Sequence, residues 1–136
     1  MIWISSLFLC QSMQSAICSS ALSGVWQLQE ITVNGRQPAL LNKVAKGTEY
    51  NFLSKDNILS FGDDAGDKLS YKISVTSIVM IDLIGPKSDE IERGFVVIEK
   101  GALALVFSTS NRSIRPRRAQ YEKRDDVTIF TLTRKK

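Results

Sequence analysis

The densest run of chemistry-bearing side chains is RSIRPRRAQYEKR, which places Arg112, Arg115, Arg117 and Arg118 close together with Tyr121 just beyond. Guanidinium forks match the oxygen pairs of phosphate, sulfate and carboxylate groups, and a neighbouring ring adds a stacking surface. The run is therefore a candidate edge for an anionic surface or an acidic macromolecule. In an extended segment Arg117 and Arg118 point to opposite sides, so a solvated strand and turn is the alternative. A second candidate is Asp82, which interrupts the apolar run IVMIDLI. A carboxylate set among apolar neighbours needs a cation from another element. It is half of a structural ion pair, a strand-end cap or, with Tyr71 or an arginine, an acid catalyst.

Other residue types narrow the chemistry. Histidine is absent, and the two cysteines, Cys10 and Cys18, both lie near the N-terminus. The rest of the chain thus lacks the usual base at neutral pH, a thiol nucleophile and most transition-metal ligands. A non-catalytic protein without cofactor or metal is the expectation. The acidic pairs Asp63-Asp64 and Asp125-Asp126 read as solvated turns, because GDDAGD lacks the spacing and closing glutamate of a calcium loop. Charge is uneven: residues 22–111 carry nine basic and eleven acidic side chains, residues 112–136 nine basic and three acidic. The net +4 is a property of the C-terminal end. Such a local excess could meet nucleic acid, an anionic glycan, a membrane surface or an acidic protein, and an acidic macromolecule other than nucleic acid is the expectation.

The segment Met1 to Ala21 contains no charged side chain, opens on an apolar run and drifts into small residues. This is the outline of a secretory signal peptide, with the cut expected after Ala21. Ile17 ahead of Cys18 argues against a lipid anchor. The apolar run is too short to span a membrane. Export to the periplasm or beyond would leave a cysteine-free domain over residues 22–136, held together by packing alone.

Strand signals dominate that domain. Leu69, Tyr71, Ile73 and Val75 alternate with Lys68, Ser70, Lys72 and Ser74, the period of a half-buried strand. TEYNFLSKDNILSF reads as a hairpin, IVMIDLIGPKSDEIERGFVVIEKGALALVFS as three strands with a tight turn at Glu99-Lys100-Gly101, and RRAQYEK as a hairpin partner of VTIFTLTR. The Asn34-Gly35 pair ends the first strand. Trp26 and Leu28 share one parity while Ile31 and Val33 share the other, which calls for a bulge near Gln29-Glu30. One short helix follows in QPALLNKVAKG, with Pro38 at its first position, Leu40, Leu41 and Val44 on one side, and Gly47 at its end. Eight or nine short antiparallel strands and one helix favour a closed up-and-down barrel, with a two-sheet sandwich as the alternative.

Taken in order, Gly24-x-Trp26, Asn34-Gly35, the IDL of residues 81–83, Arg115-Pro116 after a leucine-rich strand and the closing FTLTR resemble the small lipocalin-like domain abundant in planctomycete bacteria. The resemblance covers roughly residues 22 to 134. It implies a calycin-type all-β barrel in exported or modular proteins, with no established activity. It also implies that Trp26, two residues after Gly24, closes one end of the barrel under Arg134. Independently of the resemblance, Phe130, Leu132 and Arg134 share a parity, so a guanidinium at the strand end can lie over an indole for about 0.5–2 kcal/mol.

Two functions follow as expectations. The first is an exported lipocalin-like binding domain that takes a small apolar ligand, lined by Tyr50, Phe52, Leu69, Tyr71, Ile73 and Met80. A packed interior is the competing state, since eight-stranded barrels can be filled by their own side chains. The second is an interaction module that uses the edge of Arg112, Arg115, Arg117 and Arg118.

Overall fold

The computed structural model describes residues 21–62, 67–85 and 90–135. The expected leader lies outside the described residues except for Ala21, and so does Asp63-Asp64. Eight antiparallel strands form a closed barrel in sequence order: β1 (Gly24–Val33), β2 (Glu49–Leu53), β3 (Ile58–Phe61), β4 (Asp67–Val75), β5 (Val79–Ile84), β6 (Ile91–Glu99), β7 (Ala102–Ser108) and β8 (Val127–Arg134). One short helix, α1 (Ala39–Ala45), follows β1. The β8 strand pairs with β7 on one side and with β1 on the other, which closes the sheet and leaves no free edge.

Local chemistry explains the turns. Asn34 and Gly35 both have positive φ, 53° and 79°, and a two-residue bridge joins Val33 to Arg36. This is the backbone that an Asn-Gly pair adopts at least cost. Lys100 and Gly101 repeat the pattern between β6 and β7, with Glu99 opposite Ala102. In the β1–β8 ladder the register shifts between Leu28 and Glu30. That bulge turns Ile31 to the same side as Trp26 and Leu28, so all three are buried inside the barrel.

Strand β2 lies beside only Gly24 to Gln27 of β1. Beyond that point α1 takes its place. The Asn42 side-chain amide accepts from the Ile31 N–H at 2.6 Å and donates to the Ile31 carbonyl at 2.9 Å, as a neighbouring strand would. Gly47, at φ +90°, donates its N–H to the Leu28 carbonyl. The helix differs from expectation at its start, where Pro38 sits one residue before the first helical position. Its side bearing Leu40, Leu41 and Val44 faces solvent. The reason is that Asn42 docks the helix by its polar side, which turns the apolar side outward.

The expected final hairpin does not form. RRAQYEK runs as irregular chain ending in a 3-10 turn over Tyr121–Lys123, because both edges of β8 are already taken and Pro116 has no N–H for a ladder. This long connection covers the outside of β6, β7 and β8. Phe95, Val97, Val106, Val127 and Ile129 are buried there as a second apolar cluster, with Tyr121 packed against it. The Phe95 and Tyr121 rings meet edge to face at 5.4 Å. Gly94 sits where β6 crosses close to β7: a Cβ there would come within 2.4 Å of the Val106 carbonyl oxygen and 2.7 Å of the Phe107 ring.

Asn42→Ala removes the groups that satisfy both backbone atoms of Ile31. Urea unfolding is expected to show a loss of about 1–3 kcal/mol, well above that of an ordinary surface substitution.

Candidate binding site

The two ends of the barrel differ. At the end where β1 begins and β8 finishes, the Arg134 guanidinium carbon lies 4.4 Å from the centroid of the Trp26 ring. Its nitrogens donate to the carbonyls of Ser23 at 2.6 Å and Ala21 at 2.7 Å. Trp26 Nε1 donates to the Leu22 carbonyl at 2.8 Å, and the Leu22 side chain is fully buried. Gly24 has φ +115°, and a Cβ there would fall 2.8 Å from the Arg134 guanidinium. Gly24, Trp26 and Arg134 therefore come together as one plug, in which the glycine is required by both conformation and space. A cut after Ala21 would remove one acceptor of Arg134 and keep the other.

Five of the six cavity-lining expectations point inward. Tyr50 stands opposite Trp26, Phe52 opposite Leu59, Leu69 opposite Leu59, Tyr71 opposite Leu83 and Ile73 opposite Ile81. Phe52, Tyr71 and Ile73 are buried in the packed interior, with the Phe52 and Tyr71 rings edge to face at 5.5 Å. Met80 is a correction. It alternates with the buried Ile81 and lies opposite Phe95, so it belongs to the outer wall. Its parity within VMIDLI sets this, since Ile81 and Leu83 take the interior.

Open space begins at the other end. A cavity of about 270 Å³ is lined by Leu69, Leu83, Gly85, Glu90, Ile91 and Glu92. Glu92 is opposite Leu83 and so shares the interior face. Across the mouth, the Arg112 guanidinium carbon is 5.5 Å from the Phe107 ring and 5.8 Å from the Phe130 ring, and 3.5 Å separates its Nη1 from Glu92 Oε2. Tyr50 and Phe61 stack at 5.5 Å where β3 ends. Burial of Tyr50 raises its phenol above the ordinary value of 10.0. Glu92, Phe61, Phe107 and Phe130 were not among the expected lining. An inward parity with Gly94 and Val96 was the signal available for Glu92.

The arginine edge disperses. Arg112 turns toward the mouth. Arg115 crosses the outer wall, where it pairs with Asp82 Oδ1 at 2.8 Å and donates to the Gly94 carbonyl at 2.8 Å. Each of these side chains is 23% exposed. Asp82 is thus half of an ion pair, one of its expected readings, answered by a loop and not by a neighbouring strand. Pro116, next to its partner, is buried. Arg117 and Arg118 stay exposed, and the Arg117 carbonyl accepts from Arg124. Arg124 grips Asp126 with both nitrogens, and this hydrogen bonding holds the Asp126 carboxyl below its ordinary range. The four arginines form no single surface, because the loop spends Arg112 and Arg115 on the barrel itself. Among the described residues no cluster of three or more His, Cys, Asp or Glu side chains could hold a metal ion.

Arg134→Ala removes a stacked cation and two hydrogen bonds. A loss of about 1–3 kcal/mol in urea unfolding is expected, with Trp26 emission moved to longer wavelength. Alkaline titration followed by tyrosinate absorbance tests the Tyr50 environment. The folded-state phenol titrates above 10.0, so its contribution to stability is complete below that pH and is lost as pH rises through the folded value. Burial and the neighbouring Glu122 raise the Tyr121 phenol as well, so Tyr50→Phe should remove one of two late-titrating steps and leave the other. Compared with family models, with curated proteins and with solved structures, the chain matches none.

Proposed function

We propose that this chain is an exported, non-catalytic, lipocalin-like barrel that binds a small apolar molecule at its open end. The observation that carries this reading is the 270 Å³ cavity above the packed interior, with Leu69 and Leu83 at its apolar side and Glu90 and Glu92 at its rim. Ligand pockets start at about 300 Å³, so the ligand is small or leaves part of itself in solvent. An apolar body would bury itself on Leu69, Leu83 and Ile91, with a polar part beside Glu92 and Arg112. The plug at the other end makes this a one-mouthed site. Dispersal of the arginines weighs against the alternative of a basic docking edge, since only Arg117 and Arg118 remain free for a partner.

N-phenyl-1-naphthylamine, a neutral apolar fluorophore, tests the reading. Saturable emission enhancement at one site per chain is expected, reduced at least tenfold in affinity by Leu69→Trp, which fills the cavity, and preserved in Arg117→Ala/Arg118→Ala. Thermal melting of each variant reports folding. Equal binding by the parent and Leu69→Trp would place the fluorophore elsewhere and reject the site.

A further inference from the structure

The helix α1 presents an apolar side that no part of the described structure covers. Leu40 is 75% exposed, Val44 77% and Leu41 44%. On a helix these three positions fall within about 100° of arc, one continuous stripe. The stripe faces away from the barrel because the opposite side, carrying Asn42 and Ala45, is docked on β1. Exposing large aliphatic side chains at adjacent positions costs solubility, and contiguous exposure of this kind marks an interaction surface.

The charges around the stripe say what kind of surface meets it. Between Ile31 and Thr48 the chain carries Arg36, Lys43 and Lys46 and no acidic residue. All three cations are exposed, and none has an ion-pair partner among the described residues. Two carboxylates lie nearby: Glu30 lines the groove beside the helix together with Lys43 and Lys46, without an ion pair to either, and Glu49 is held by Lys135 at 2.6 Å. Lys43 flanks the stripe on the helix and Lys46 follows at its end, so their aliphatic stems can lie along apolar surface while the ammonium groups reach polar headgroups. An apolar stripe flanked on the helix by Lys43, with Arg36 and Lys46 beyond the helix ends, has the pattern of a helix that lies in the plane of an anionic lipid surface. No helix among the described residues is long and apolar enough to cross a membrane.

We propose that α1 docks this barrel on an anionic lipid bilayer, with Leu40, Leu41 and Val44 entering the acyl boundary and Arg36, Lys43 and Lys46 contacting the headgroups. The helix sits beside the last part of β1, toward the barrel end opposite the Trp26 plug. The contact is shallow and reversible, since one two-turn helix with three cations gives weak interfacial binding. The proposal is independent of what the cavity holds.

Sedimentation of the full chain with vesicles tests it, using phosphatidylcholine alone and phosphatidylcholine mixed with phosphatidylglycerol. The N-terminal segment is common to all chains compared, so the variants isolate α1. The parent should partition to the mixed vesicles at low salt. Binding should fall at least about tenfold in Leu40→Ser/Leu41→Ser/Val44→Ser and in Lys43→Glu/Lys46→Glu, and on moving to high salt. The side chains are exposed, so unchanged melting temperatures verify the fold. A tryptophan at position 41 (Leu41→Trp) should shift to shorter wavelength on adding mixed vesicles, whereas Leu53→Trp, at the exposed end of β2, should not. Equal binding by parent and serine variant overturns the proposal. So does a parent that ignores vesicles but self-associates through the stripe, or one whose stripe is covered only by a protein partner.

Discussion

The seam between β1 and β8 is the contact on which the rest of the molecule depends. It joins residues about 100 positions apart, from Trp26 with Arg134 to Val33 with Thr128, and every intervening hairpin is local by comparison. Closing that seam removes the last open edge of the sheet and sets which residues of each strand are interior. Its closed-end terminus is reinforced by Trp26, Gly24 and Arg134, where an indole, a left-handed glycine and a guanidinium share one small volume. Partway along, the bulge between Leu28 and Glu30 lets the strand bend without exposing Ile31.

Closure also dictates what the connection before β8 must do. With both edges of β8 occupied, residues 109–126 cannot pair as a strand and instead lie over the outer wall. This is why β6 reads as Gly-Phe-Val-Val with all four positions buried: its inner face meets the barrel core and its outer face meets Tyr121 and its neighbours. The same connection carries Arg115 to Asp82. A half-buried ion pair that also satisfies the Gly94 carbonyl fastens the loop, and losing one partner would leave the other desolvated without compensation.

The division of labour between the two ends follows. Large side chains fill the interior from the plug upward, and a cavity opens among β4, β5 and β6 beside Leu69 and Leu83. At that same end Arg112 rests over Phe107 and Phe130, its charge only loosely answered by Glu92. The helix beside β1 adds an apolar, cation-edged stripe. Polar and apolar groups that a stable core would have absorbed are thus concentrated at the open end and its flank.

Much of this architecture was legible in the residues. Period-two alternation in Leu69 to Val75, the Asn34-Gly35 and Lys100-Gly101 turns, and the parity change around Gln29 are local signals, and local sterics settle them. The resemblance of Gly24-x-Trp26 and the terminal arginine pointed to residues that do meet. Three matters were decided only by the tertiary structure. Met80 faces outward because the interior was already assigned to Ile81 and Leu83, and parity alone names two faces without saying which is inside. Leu40, Leu41 and Val44 are exposed because Asn42 found two backbone atoms that β2 is too short to reach. The arginines separate because a loop, unlike a strand, can send Arg112 and Arg115 to different walls. Sequence by itself determined the elements and their turns, since these depend on neighbours along the chain. Only closure of the barrel decided what each surface faces, since that depends on partners brought together from far apart.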